Sequence, residues 1–140
     1  MNHWTSWALL SAFFAGVTAV LAKVGVSDVN SNLATAIRTT VILAISWLIA
    51  AFTTKAGDFS LVSRRTWLVL ALSGVATGLS WLCYFRALQL GEVSKVSAID
   101  KLSVVVAIGI SLLFLGEKIN LREACGAGLI VIGTILLAWK

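Results

Sequence analysis

The chain has 140 residues, of which 59% are apolar and only 12% charged, with six Trp, two Cys and no Pro. A mean hydropathy of +0.98 lies far above that of an ordinary soluble domain, and a soluble core of this length would leave much of that apolar surface uncovered. The net charge of +5 falls mostly on cations that border apolar stretches, so anionic lipid headgroups are the simpler partner and no nucleic-acid role is expected.

Runs of roughly 18 or more apolar residues mark helices able to cross a bilayer. They predict five spans, near residues 4–22, 33–52, 67–88, 93–115 and 121–139, separated by short joints. The expected fold class is all-α, a polytopic membrane protein forming one transmembrane domain over residues 1–140.

The first stretch lacks a basic leader and exceeds the roughly 7 to 15 apolar residues of a secretory signal, so it is read as a retained helix. It carries a stripe of small residues, Ala12, Gly16 and Ala19, that ends at Lys23 and suits close helix packing. Trp4, Trp7, Trp67 and Trp139 fall at span ends, where an indole sits well in the headgroup layer, whereas Trp47 and Trp81 lie deeper. Residues 25–32 are rich in turn formers, and the second span carries Arg38 near its start. The longest joint, residues 53–66, holds Lys55, Asp58, Arg64 and Arg65.

In the third span Ser73, Thr77, Ser80 and Tyr84 recur at helical spacing beside Gly74, Gly78 and Trp81, which gives one small, polar and aromatic side. Helix packing accounts for such a stripe, and so does a solute cavity. Trp81 and Tyr84 are the candidate lining residues, since an aromatic face stacks against a flat or cationic solute.

The fourth span must begin before Leu102 to cross the hydrocarbon, which draws Asp100 and Lys101 roughly 10 Å inside at 1.5 Å per residue. Each such charge costs on the order of 2.5 to 3.5 kcal/mol at a helix centre. Neighbouring residues on a helix point about 100° apart, so Asp100 and Lys101 are not expected to neutralise each other along one face. Lys101 is expected to snorkel, and Asp100 to pair with Lys23, Arg38 or Arg86. Asn120 followed by Glu123 predicts a capping box, with the last helix starting at Leu121. Without proline no span is expected to break, and any motion must flex at glycines or tilt helices whole.

Alternating spans sort the cations by side. Lys55, Arg64, Arg65, Lys118 and Arg122 share the side of the N-terminus, and Lys23, Arg38, Arg86, Lys95, Lys101 and Lys140 the other, five against six. An excess of Lys and Arg in short loops orients a membrane protein, and a difference of one is hardly a preference. Two arrangements remain open: a single orientation set by other determinants, or dual topology, in which chains insert both ways and pair antiparallel. Within the spans or at their ends, Lys23, Arg38, Arg86 and Lys101 outnumber Asp100, so that mouth is expected to be positive and to attract an anionic or zwitterionic solute.

Enzymatic chemistry finds no support. His3 is the sole histidine, Cys83 and Cys125 lie on separate spans and are expected to be buried reduced thiols, and Lys101 has no nucleophile motif to serve. No metal or cofactor is expected. An accessory or scaffolding membrane subunit without transport activity is the alternative to a transporter.

Four segments in order, ATAIRTTVILA, YFRALQLGEVSKV, IDKLSVVV and the closing FLGEKINLREACGAGLIVIG, together with the order of spans, resemble the EamA domain of the drug/metabolite transporter superfamily. The resemblance covers nearly the whole chain and is nearest to the five-span, single-repeat members. It implies a bacterial or archaeal inner-membrane transporter of a small metabolite, with amino acids among the candidates. Longer relatives carry two such repeats in inverted orientation and work by alternating access, so one repeat is consistent with a homodimer.

The resemblance also implies that the last helix joins the repeats, which makes Gly126 and Gly133 dimer-contact candidates beside the alternative of packing within the chain. The small four-span multidrug relatives use a carboxylate in the first helix, and this first span has none, so their cation chemistry does not carry over. Asp100 is then the candidate proton carrier, with Glu117 weaker because it lies at a helix end. Facilitated transport is equally allowed. The candidate pathway residues are Lys23, Arg38, Trp81, Tyr84, Arg86, Asp100 and Lys101.

Overall fold

The computed structural model describes residues 3–139; Met1, Asn2 and Lys140, and the side chains of His3, Ala56, Phe59 and Ser60, lie outside the described residues. Helices α1 (His3–Val26), α2 (Ser31–Thr53) and α3 (Arg64–Leu90) are followed by the short α4 (Val93–Asp100) and α5 (Leu102–Ile110), and α6 (Leu121–Ala138) closes the chain. The protein is all-α, and among the described residues five helical stretches are long and apolar enough to cross a membrane: Trp4–Val26, Ser31–Thr53, Arg64–Leu90, Val93–Leu115 and Leu121–Ala138. The first and third run several residues beyond the expected ends, because Lys23, Arg64 and Arg65 are absorbed into helix rather than left in loops.

Local chemistry sets the helix starts. Asn30 opens α2 by accepting from the amide of Asn32 at 2.9 Å. Ser63 opens α3, its Oγ accepting from the Thr66 amide at 3.1 Å. Asn120 and Glu123 form the expected capping box, with both bonds at 2.9 Å. Each occupies amide donors that a helix start leaves unpaired. The long joint contains a 3-10 turn, Ala56–Leu61, tied by the Lys55 amide donating to Asp58 Oδ2 at 2.9 Å.

The fourth span corrects an expectation. It is not one continuous helix: α4 ends at Asp100, Lys101 forms a turn with φ −67° and ψ −13°, and α5 resumes at Leu102. The amide of Lys101 reaches back only three residues, to Ala98 at 3.1 Å, and that of Val104 likewise to Lys101 at 3.1 Å. This tightening to three-residue spacing breaks the helix without proline or glycine. The span ends in a π turn, Ser111–Leu115, stopped by Gly116 at φ 67°, a left-handed conformation that favours glycine.

Two compact units divide the chain: one runs Ala22–Gln89, and the other holds the residues up to Leu21 and from Leu90 onward. In the latter, α6 packs on α4 and α5, and the buried Thr134 hydroxyl donates to the Ala98 carbonyl at 3.1 Å.

Candidate functional site

Arg38 lies in the Ala22–Gln89 unit. It lies seven residues into α2, about 10 Å along the helix from Ser31 at 1.5 Å per residue. Its guanidinium carbon sits over the Trp81 ring at 4.4 Å from the centroid and over the Phe85 ring at 5.4 Å. Trp81 and Phe85 are four residues apart on α3, so one helix face offers both rings to one cation. Such a contact is worth about 0.5 to 2 kcal/mol, the larger value where water is excluded. Tyr84 lies on the same helix, next to Phe85 in sequence.

Among the described residues Arg38 makes no hydrogen bond and no ion pair. The threonines along α2 turn their hydroxyls back on the helix: that of Thr35 donates to the Ser31 carbonyl and that of Thr39 to the Thr35 carbonyl, both at 2.8 Å. A cation is thus held by ring faces, with its N–H donors unassigned.

Lys23 and Arg86 are placed differently. Lys23 Nζ donates to the Leu88 carbonyl at 2.6 Å, so the last turn of α1 caps the last turn of α3. Gln89 returns the bond, its Nε2 donating to the Val26 carbonyl at 3.2 Å and the Val29 carbonyl at 2.9 Å. Arg86 orients that amide by donating to Gln89 Oε1 at 2.7 Å. Under this clasp Val26 and Leu88 are wholly buried, and Phe85 is 3% exposed. Terminal carbonyls of a helix need such partners, and here two helices supply them to each other.

In the other unit Asp100 Oδ2 lies 3.7 Å from Lys101 Nζ. This corrects the expectation that the two do not neutralise each other: the turn at Lys101 departs from helical spacing and lets adjacent side chains meet. Lys95 pairs with Glu92 at 3.2 Å. Glu117 and Lys118 border an open cavity of about 450 Å³ with Ser111 and Glu123.

A Cβ added at Gly126 or at Gly133 would meet nothing within 4 Å. Cys83 and Cys125 are free thiols, but both are exposed rather than buried. Sequence reasoning missed Phe85 and Gln89. The four-residue step from Trp81 was a usable signal for Phe85, whereas Gln89 bonds a carbonyl 63 positions away, and no local pattern announces that.

Residues 2–139 match the EamA-like transporter family. A Sinorhizobium protein described as "Uncharacterized transporter in cobO 3'region" is 54% identical over 137 residues, which cover 98% of this chain and 97% of that protein. The chain belongs to the EamA-like transporter family. This EamA family falls within the drug/metabolite transporter superfamily. A second relative, "Uncharacterized transporter YxxF" of Bacillus subtilis (strain 168), is 28% identical over 133 residues, which are 93% of this chain but 40% of that protein. No solved structure matches. The EamA match runs through both compact units, so the Arg38 cluster and the broken fourth span both lie inside it. As an EamA protein the chain is a multi-pass membrane protein of a transporter family.

Proposed function

We propose that this protein carries a small metabolite across the bacterial or archaeal inner membrane by alternating access, as an antiparallel pair of identical chains. The observation that carries the reading is Arg38: a guanidinium inside a span, held over Trp81 and Phe85, with no hydrogen-bond or acidic partner among the described residues. A charge at that depth costs a few kcal/mol, and a carrier offsets it when an anionic solute arrives.

Pairing is supported by the near-even loop charges and by the relative in Bacillus subtilis, of which the chain spans only 40%. Two inverted copies would rebuild the inverted repeat on which rocking carriers depend. Gly126 and Gly133, open within the chain, are free to meet a second copy. Neither an enzyme nor a scaffold needs an unsatisfied guanidinium within a span.

Purified protein reconstituted in liposomes is expected to move a labelled organic anion, and Arg38→Ala to slow that flux at least tenfold while inserting normally. Flux by Arg38→Ala equal to the parent would overturn the role of Arg38. Absence of flux for every solute class would leave an accessory subunit as the better reading.

A further inference from the structure

Apart from Arg64 and Arg65 at the start of α3, the cations of the first three spans are Lys23, Arg38 and Arg86, and these spans hold not a single Asp or Glu. Lys23 donates to the Leu88 carbonyl and Arg86 to the Gln89 amide oxygen, both in the clasp at the ends of α1 and α3. Arg38 lies deeper than Arg86, which is only four residues from the end of α3. Of these two arginines it is the one that rests on aromatic rings, with no hydrogen bond among the described residues. The acid of the fourth span, Asp100, is paired with its neighbour Lys101.

We infer that the solute held at Arg38 is a monocarboxylate without an ammonium group: a 2-oxo acid, a hydroxy acid or a short fatty acid. This rests on the transporter reading and narrows it. Three chemical reasons lead there. A planar carboxylate presents two oxygens that match the fork of guanidinium donors, which a stacked arginine holds in a fixed orientation. One negative charge neutralises one guanidinium, whereas a phosphate dianion leaves an excess negative charge inside the span.

The third reason separates an organic acid from an amino acid. Carbonyl and hydroxyl oxygens can accept from an ammonium group, but offsetting its charge in this place takes a carboxylate or a ring face. The three spans hold no acid, and the Trp81 and Phe85 rings each already have the Arg38 cation over one face. An amino acid would therefore bring a second positive charge beside the first. The solute that leaves the site neutral is the simple acid.

The test compares matched probes by thermal stabilisation of the purified full-length protein in detergent: pyruvate, butyrate and phenylpyruvate against alanine, alaninamide and inorganic phosphate, at equal ionic strength. A bound ligand raises Tm with its concentration over Kd. At least one monocarboxylate is expected to raise Tm by several degrees, with alanine, alaninamide and phosphate inert. Arg38→Lys keeps the charge but not the fork, and it is expected to lose the shift while its unliganded Tm stays near the parent's.

Stabilisation by alanine or phosphate equal to that by the acids overturns the inference, as does no response to any acid, or a shift that survives in Arg38→Lys. The comparison among probes on the parent protein stands even if the variant folds poorly. Liposome flux keeps the two readings apart. Alanine bound and moved would defeat the carboxylate assignment and leave the carrier intact, whereas acids bound without flux would do the reverse.

Discussion

Arg38 is held in place by rings, and a ring is a different neighbour from an acid. An acid beside the guanidinium would neutralise it and compete with any incoming anion, whereas Trp81 and Phe85 fix its position and leave its charge available. The size of the contact sets an expectation. Trp81→Ala should weaken anion binding about 2- to 30-fold, the equivalent of roughly 0.5 to 2 kcal/mol, while Trp81→Phe keeps most of the affinity. Ligand titrations of both variants check this, and equal losses in the two would mean that the indole contributes bulk rather than a ring face. Arg38 and Trp81 were legible in the sequence as a charge and a deep aromatic on neighbouring spans. Their meeting was not, because stacking depends on how α2 and α3 are set against each other.

At the scale of helices, the ends of α1 and α3 are joined by an exchange of caps. Lys23 reaches a carbonyl of α3, and Gln89 reaches carbonyls at and just beyond the end of α1. Each bond contributes about 1 kcal/mol net, and leaving a carbonyl unsatisfied costs about as much or more. Gln89→Leu should therefore speed hydrogen exchange in residues 24–29 and 86–90 by roughly tenfold and leave α6 unchanged, as read by mass spectrometry in detergent. Uniformly faster exchange would instead indicate general loosening.

The helix starts at Asn30, Ser63 and Asn120 depend on residues three positions apart or fewer, and of these the Asn120 box was read directly from sequence. The break at Lys101 was not, since no proline or glycine marks it and the turn is set by backbone bonds to Ala98 and Val104.

For the molecule as a whole, apolar surface is the governing quantity. No span has more than 17% of its apolar window covered by the chain itself, so lipid or a second copy must cover the rest. The proposed antiparallel pair makes a firm prediction for topology. After replacement of Cys83 and Cys125, a single cysteine placed near either end of the chain should be labelled by an impermeant reagent from both faces of the membrane, in comparable fractions. Labelling from one face only would leave a parallel pair or a different partner as the working arrangement.

The sequence by itself determined the spans, the membrane class, the balance of loop charges and the kinship with EamA transporters. These depend on apolar run length and residue identity, which are properties of short stretches or of the ordered list. Tertiary structure decided which cations are committed and which is available: Lys23 to a carbonyl 65 positions away, Arg86 to the amide that completes the clasp, and Arg38 to two rings. It also turned Asp100 from an expected partner of those cations into the partner of Lys101. The reason is geometric, since charge is carried by residue type but neutralisation depends on distance, and the distances between helices are fixed only when they pack.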